Sequence, residues 1–111
     1  MCITDTELSE ATLIEIVDKT IDFYRKLIKQ ENPEREQHLF CGLLNGFQLG
    51  SIVLHSADSY LKKLDRLMAQ MDFCKRIYED ILSEERQVAF FQGKYNSLAW
   101  VYNQLSSLEL E

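Results

Sequence analysis

The residues best suited to chemistry in this 111-residue chain are its two histidines and three cysteines. His38 and Cys41 are spaced His-x-x-Cys, which places both side chains on one face of a helix, and Cys74 could approach them in the folded chain. A structural zinc site usually needs four protein ligands, and only Cys2 or His55 remain to complete the set. We therefore expect Cys41 to be a core residue, His38 to be a surface residue, and no metal to be bound.

Other catalytic patterns are also missing from the sequence. A di-iron site in a helical bundle uses Glu-x-x-His, but Glu34 precedes His38 by four residues and Ile52 stands three residues before His55. The sequence contains no GxSxG, no P-loop and no GxGxxG motif. We expect no cofactor and no catalytic residues, and we predict that the protein is not an enzyme.

Long helices are the elements that must position any site. The only proline is Pro33, and no glycine or proline lies between Ser51 and Gln92, so helix breakers are few. We predict an all-α fold in a single domain, 1–111, built as an antiparallel bundle of three to four long helices at about 6–30, 33–54, 56–82 and 84–108. A break at His55–Ser56 and a helix that continues through these residues both fit the pattern.

Caps and apolar stripes support these boundaries. Asn32 can cap a helix that has Pro33 at its first position, and Ser56 and Ser83 are candidate caps for the later helices. Apolar residues that recur at alternating spacings of three and four predict the buried faces. These stripes are Ile14, Val17, Ile21, Tyr24 and Ile28; Leu54, Ala57, Leu61, Leu64, Met68 and Met71; and Val88, Phe91, Tyr95, Leu98, Tyr102 and Leu105.

Three of the four glycines lie in one uncharged stretch, Leu39–Leu54, at a spacing of four residues. Because four residues is slightly more than one helical turn, Gly42, Gly46 and Gly50 form a side-chain-free groove on one helix face. Each glycine costs a helix about 0.5–1 kcal/mol relative to alanine, so a close contact must compensate. The groove can receive another helix of this chain, for which Gly93 is the natural candidate, or a partner protein.

The same uncharged stretch raises the question of a membrane segment. It is shorter than the roughly 20 residues of a spanning helix and contains Asn45 and Gln48, so we expect a buried helix and no membrane contact. The first ten residues carry acids and no basic residue, unlike a secretory signal. The odd number of cysteines without a CxxC pair is typical of a reduced protein, and we predict a cytoplasmic location.

Charge and aromatic content indicate how such a protein acts. The formal net charge of −6 argues against direct nucleic-acid binding, because nucleic-acid binders usually show a basic face. Trp and Tyr are enriched at interface hot spots, so we select candidate partner contacts from the last helix: Trp100, Tyr95, Tyr102 and Phe90. We predict a small acidic non-catalytic protein that acts through protein–protein contact, with an unidentified protein partner and as a homo-oligomer, expected to be a dimer.

In size and composition alone, the chain resembles accessory proteins of phages and plasmids and bacteriocin immunity proteins. This resemblance implies an accessory or inhibitor role and assigns no residue. Two alternatives from other classes stay open. One is an inhibitor of a nucleic-acid-handling enzyme that uses an acidic face, which requires a single track formed by Asp5, Glu7, Glu10, Glu15, Glu79, Asp80, Glu84 and Glu85. The other is a small-ligand sensor with a pocket lined by Phe47, Phe91, Tyr95 and Trp100.

Overall fold

The computed structural model describes residues 9–80 and 82–108, which form four α-helices. The helices are α1 (Glu10–Leu27), α2 (Glu34–His55), α3 (Tyr60–Tyr78) and α4 (Glu85–Ser107). No strand occurs within these two ranges. The predicted all-α fold of packed long helices is therefore confirmed.

The helices form two hairpins, α1–α2 and α3–α4, which contact each other through α2 and α4. α1 packs on α2, α3 packs on α4, and the largest contact in the molecule joins α2 to α4. Within each hairpin the helices are antiparallel, as predicted. The central pair runs in parallel, because Gly42 lies next to Phe90 whereas Gly50, two turns later, lies next to Val101. α1 and α3 thus flank a central α2–α4 pair, and contacts between α1 and α4 and between α2 and α3 are sparse.

The first turn between helices differs in detail from the prediction. α1 ends at Leu27 rather than near residue 30, and its predicted start at residue 6 lies outside the described residues. Pro33 is the N-cap of α2 and not its first helical residue. Asn32 does not cap the helix; its amide donates to the carbonyls of Leu27 and Gln30 and to the Gln37 side chain. The Leu27 carbonyl at the end of α1, which also accepts from the Gln30 backbone amide, thereby gains a second donor.

The break between α2 and α3 is present, but it falls later than predicted. α3 begins at Tyr60 and not at residue 56, because Ser59 is its N-cap and accepts a hydrogen bond from the Lys62 amide at 3.2 Å. The Ser56 hydroxyl donates to the Val53 carbonyl at 2.7 Å and so finishes α2. α3 is continuous to Tyr78, four residues short of the predicted end at 82.

The start of α4 is also displaced by one residue. α4 begins at Glu85, with Glu84 as its N-cap, and the Gln87 side chain accepts a hydrogen bond from the Glu84 amide at 3.0 Å. Ser83 is not the cap; its hydroxyl donates to the Ile77 carbonyl at 2.8 Å and ties the turn to the end of α3. The helix ends at Ser107, one residue before the predicted boundary.

The core lies along the central pair and receives one face from each outer helix. On α1 the predicted stripe is correct, with Leu13 added beside Val17 and Ile21. On α3 the predicted stripe is correct at Leu64 and Met71, which are buried, and wrong at Leu61 and Met68, which are 64% and 38% exposed. The buried α3 positions recur at spacings of three and four without a slip: Leu64, Leu67, Met71 and Cys74. 

One buried lysine ties three helices together at one end of the molecule. The Lys63 ammonium of α3 donates to the Glu10 carboxylate of α1 at 2.6 Å and to the Leu54 carbonyl of α2 at 2.9 Å. The carbonyl is one of those that the end of α2 leaves without a helical partner. Burial of this charge is compensated because the carboxylate and the carbonyl both accept from it.

Candidate interaction surface

The structure places all four glycines in the contact between α2 and α4. A Cβ atom on Gly42 would lie 1.9 Å from the Phe90 carbonyl oxygen, and one on Gly46 would lie 1.9 Å from the Ser97 hydroxyl oxygen. From the opposite side, a Cβ on Gly93 would lie 2.4 Å from the Leu39 carbonyl oxygen. These distances are too short for any side chain, so the two helix backbones approach more closely than even alanine would allow.

The face that α4 turns to this contact consists of small residues, of which sequence reasoning identified Gly93 and missed Ala89 and Ser97. Its buried residues include Ala89, Gly93 and Ser97, spaced by four in the same way as the glycines of α2. The predicted α4 stripe of large residues lies beside this face, and among its members Phe91, Tyr95 and Tyr102 are only partly buried. The Ala-Gly-Ser spacing was the available signal, and it was hidden because the large apolar residues form a regular pattern of their own.

The four candidate contact residues of α4 do not form one surface. Tyr95 packs edge-on against Tyr78 of α3, with ring centroids 5.6 Å apart, and Phe90 packs edge-on against Phe91. Tyr102 is partly buried against the core. Trp100 is 37% exposed and meets the buried Phe47 of α2 at 6.0 Å. Only Trp100 therefore lies on the side of α4 that borders α1.

Trp100 is one end of a continuous aromatic cluster that crosses three helices. Its ring meets Phe47, Phe47 stacks on Tyr24 of α1 at 6.0 Å, and Tyr24 meets Phe23 edge-on at 5.1 Å. Phe40 also contacts Tyr24 at 6.3 Å. Phe23 is 59% exposed, so the cluster is supported from inside by Phe47 and is open to solvent at both ends.

The exposed face of α4 beside this cluster carries no charge, whereas that of α1 does. On α4, Lys94 is the only charged residue between Gln87 and Leu108, and its ammonium lies 6.0 Å from the Phe91 ring, on the side of α3. On α1, Phe23 is flanked at helical spacing by the uncharged Thr20 and Leu27 on one side and by the charged Lys19 and Lys26 on the other. We call these two faces together the α1/α4 surface; its residues are Ile16, Thr20, Phe23 and Leu27 of α1 and Gln92, Asn96, Trp100 and Asn103 of α4.

A Ser-His-Asp group lies on the other side of α1, but its contacts link α1 to α2 and do not have the geometry of a catalytic triad. The Ser51 hydroxyl of α2 donates to the Asp18 carboxylate of α1 at 2.8 Å, and His55 Nε2 lies 3.4 Å from the other carboxylate oxygen. A nucleophilic serine needs the histidine to accept its proton, whereas here the carboxylate accepts it. The group holds α1 against α2, and its members are too far apart in sequence for motif reasoning to have found it.

The acids do not form a single track along the described chain. Glu10 lies at the end of the molecule where α2 finishes and is paired with Lys63. Glu84 and Glu85 lie at the opposite end, in a cleft that also contains Arg35 and Arg86. α2 separates these ends by about 33 Å, given its 22 residues and the helical rise of 1.5 Å. Asp5 and Glu7 lie outside the described residues. The acidic-face alternative therefore gains no geometric support.

The four aromatic residues proposed to line a ligand pocket pack against different neighbours and do not surround a common space. Phe47 and Trp100 pack against each other, Tyr95 packs on α3, and Phe91 meets Phe73 of α3 at 6.1 Å. None of the four concavities described on the surface is lined by these residues. These four concavities therefore give the sensor alternative no support.

Asp58, Cys74 and Tyr78 have shifted pKa values, and each shift has a clear cause. The hydrogen bond that Arg66 donates to Asp58 at 2.6 Å lowers the pKa of the Asp58 carboxyl, against a smaller opposing effect of burial. Burial raises the pKa of the Cys74 thiol. Burial also raises the pKa of Tyr78, with a further contribution from Tyr95. All three groups lie away from the α1/α4 surface, and the Cys74 shift disfavours the thiolate that a reactive cysteine requires.

The residues considered for metal binding are dispersed. Cys74 is buried in the core, Cys41 is partly buried, and His38 lies 3.8 Å from Glu34, while Cys2 lies outside the described residues. Within residues 9–80 and 82–108, no three His, Cys, Asp or Glu side chains are grouped so as to hold a metal ion. Over the same ranges, no helix has both the length and the apolarity needed to cross a membrane.

The described residues form four packed helices with an exposed aromatic cluster between α1 and α4. No protein-family model matches the chain, and no match was found among curated proteins or among solved structures.

Proposed function

We propose that this protein acts by binding a protein partner through the α1/α4 surface, without catalysis, as a cytoplasmic accessory or inhibitor protein. The observation that carries the proposal is the solvent-exposed aromatic cluster at Phe23 and Trp100. Exposed Trp and Phe side chains anchored on a buried ring are typical hot-spot residues of protein interfaces. The exposed α4 residues around Trp100 are uncharged, and depletion of charge at the centre of a contact surface is a second property of such interfaces.

The way the cluster is held also supports binding. Phe47 of α2 is buried, and its ring contacts Trp100 of α4 on one side and Tyr24 of α1 on the other. The close glycine contact between α2 and α4 keeps the helices that carry Phe47 and Trp100 at a fixed separation. Anchors that are already ordered lose less conformational entropy when a partner binds.

The test is site-specific photo-crosslinking in the native host. A photoreactive amino acid placed at Phe23 or at Trp100 should give a discrete crosslinked protein, because both side chains contact the partner. Met68 is the matched control, since it is 38% exposed, close to the exposure of Trp100, but lies on α3. Crosslinks of equal yield from Met68, or none from Phe23 and Trp100, would contradict the proposal.

A further inference from the structure

We infer that the partner bound at the α1/α4 surface is a second copy of this chain, paired around a two-fold axis near Trp100. This inference rests on the proposed function, because it names the occupant of the same surface. Most protein oligomers are symmetric dimers, in which the same patch of each subunit faces its copy. The charges and hydrogen-bonding groups of such a patch must therefore be compatible with those of an identical patch.

The charge distribution is the first argument for a second copy. Each chain carries a formal net charge of −6, so two copies repel wherever their charged surfaces face each other. A basic partner would instead be attracted to the acidic parts of the molecule. The exposed face of α4 contains neutral side chains that are donors and acceptors at once, Gln92, Asn96 and Asn103, and these can pair with their own copies.

The dimensions of the surface are the second argument. α4 has 23 residues and is about 35 Å long at 1.5 Å per residue. α1 has 18 residues and is about 27 Å long, so the faces of the two helices, each about 10 Å wide, present roughly 600 Å². Standard interfaces bury about 600–1,000 Å² on each partner, so the α1/α4 surface lies at the lower end of the area that a stable dimer needs.

Sedimentation of the purified chain tests the inference. At about 100 μM, where even weak dimers form, the wild-type protein should have twice the mass of the 13.0 kDa chain. Asn96→Glu and Asn103→Glu should each give a monomer, because every added carboxylate appears twice near the symmetry axis. Both positions are exposed, so these variants leave the core intact. Met68→Glu on α3 is the control and should remain a dimer.

Three results would overturn self-association. They are a monomeric wild-type chain at this concentration, dimers that persist in both asparagine variants, and a Met68→Glu variant that dissociates as they do. A monomer that still crosslinks to a different protein from Trp100 would overturn the second copy as occupant and leave the proposed function in place. A monomer that gives no crosslink from Trp100 or Phe23 would overturn both.

Discussion

Single residues at the helix ends decide where the elements of this protein begin and stop. The Asn32 amide and the Ser56 hydroxyl each donate to a carbonyl in the last turn of a helix, and the Ser59 hydroxyl accepts from a backbone N–H in the first turn of α3. Sequence reasoning located these breaks to within a few residues. It chose the wrong cap in all three turns, because neighbouring residues can take the same position: Pro33, Ser59 and Glu84 are the N-caps where Asn32, Ser56 and Ser83 were predicted.

Asp58 gives a prediction at the residue scale, since its pKa is lowered by the Arg66 hydrogen bond. A carboxyl whose pKa is lower in the folded than in the unfolded state stabilises the protein above its unfolded pKa of about 3.9. That contribution is lost as the pH falls through the folded pKa. We expect Asp58→Asn to unfold at lower urea concentration than wild type at pH 7, and we expect the difference to disappear in strong acid.

Midpoints of urea unfolding, measured from pH 7 down into strong acid, check the expectation. Asp65→Asn is the matched control, because Asp65 is an exposed carboxylate on α3, the helix that carries Arg66. A constant difference between wild type and Asp58→Asn at every pH would show that the Asp58 ion pair is not its source.

At the scale of the elements, the contact between α2 and α4 organises the fold. The spacing of Gly42, Gly46 and Gly50 pointed to a close approach and suggested Gly93 as its counterpart, which is where the structure places these residues. The parallel direction of the two helices could not be predicted, since a stripe with equal spacing reads the same in both directions. The role of Ala89 and Ser97 was also hidden, because small residues carry little weight in an apolar pattern.

Gly42→Ala tests this contact. In an ordinary helix the change would stabilise the protein by about 0.5–1 kcal/mol. Here the new Cβ would lie 1.9 Å from the Phe90 carbonyl oxygen, which belongs to the backbone and cannot move aside alone. We expect the free energy of unfolding to fall by about 1–3 kcal/mol, as in other overpacked cores.

The matched control is Gly50→Ala on the same helix face. Its Cβ would first meet a methyl group of the Val101 side chain at 3.1 Å, and small shifts can relieve that contact. We expect Gly50→Ala to change stability by less than about 1 kcal/mol. Chemical denaturation measures both variants. Equal stability of the two would mean that the backbones of α2 and α4 are farther apart than described.

At the scale of the whole molecule, the two hairpins leave the seam between α1 and α4 partly open. α1 packs on α2 and α3 packs on α4, so neither outer helix fully covers Trp100, which packs against Phe47. The sequence predicted Trp100 as a contact residue because it falls outside the apolar stripe of α4. It did not predict that Phe23 and Tyr24 of α1 join it, since that depends on which helices become neighbours.

Quenching of Trp100 fluorescence tests the central claim most directly, because Trp100 is the only tryptophan in the chain. If a second copy covers the α1/α4 surface, acrylamide should quench the wild-type protein less at high than at low protein concentration. Asn103→Glu should be quenched to the same high extent at both concentrations. Quenching that is identical in wild type and Asn103→Glu at every concentration would contradict the account.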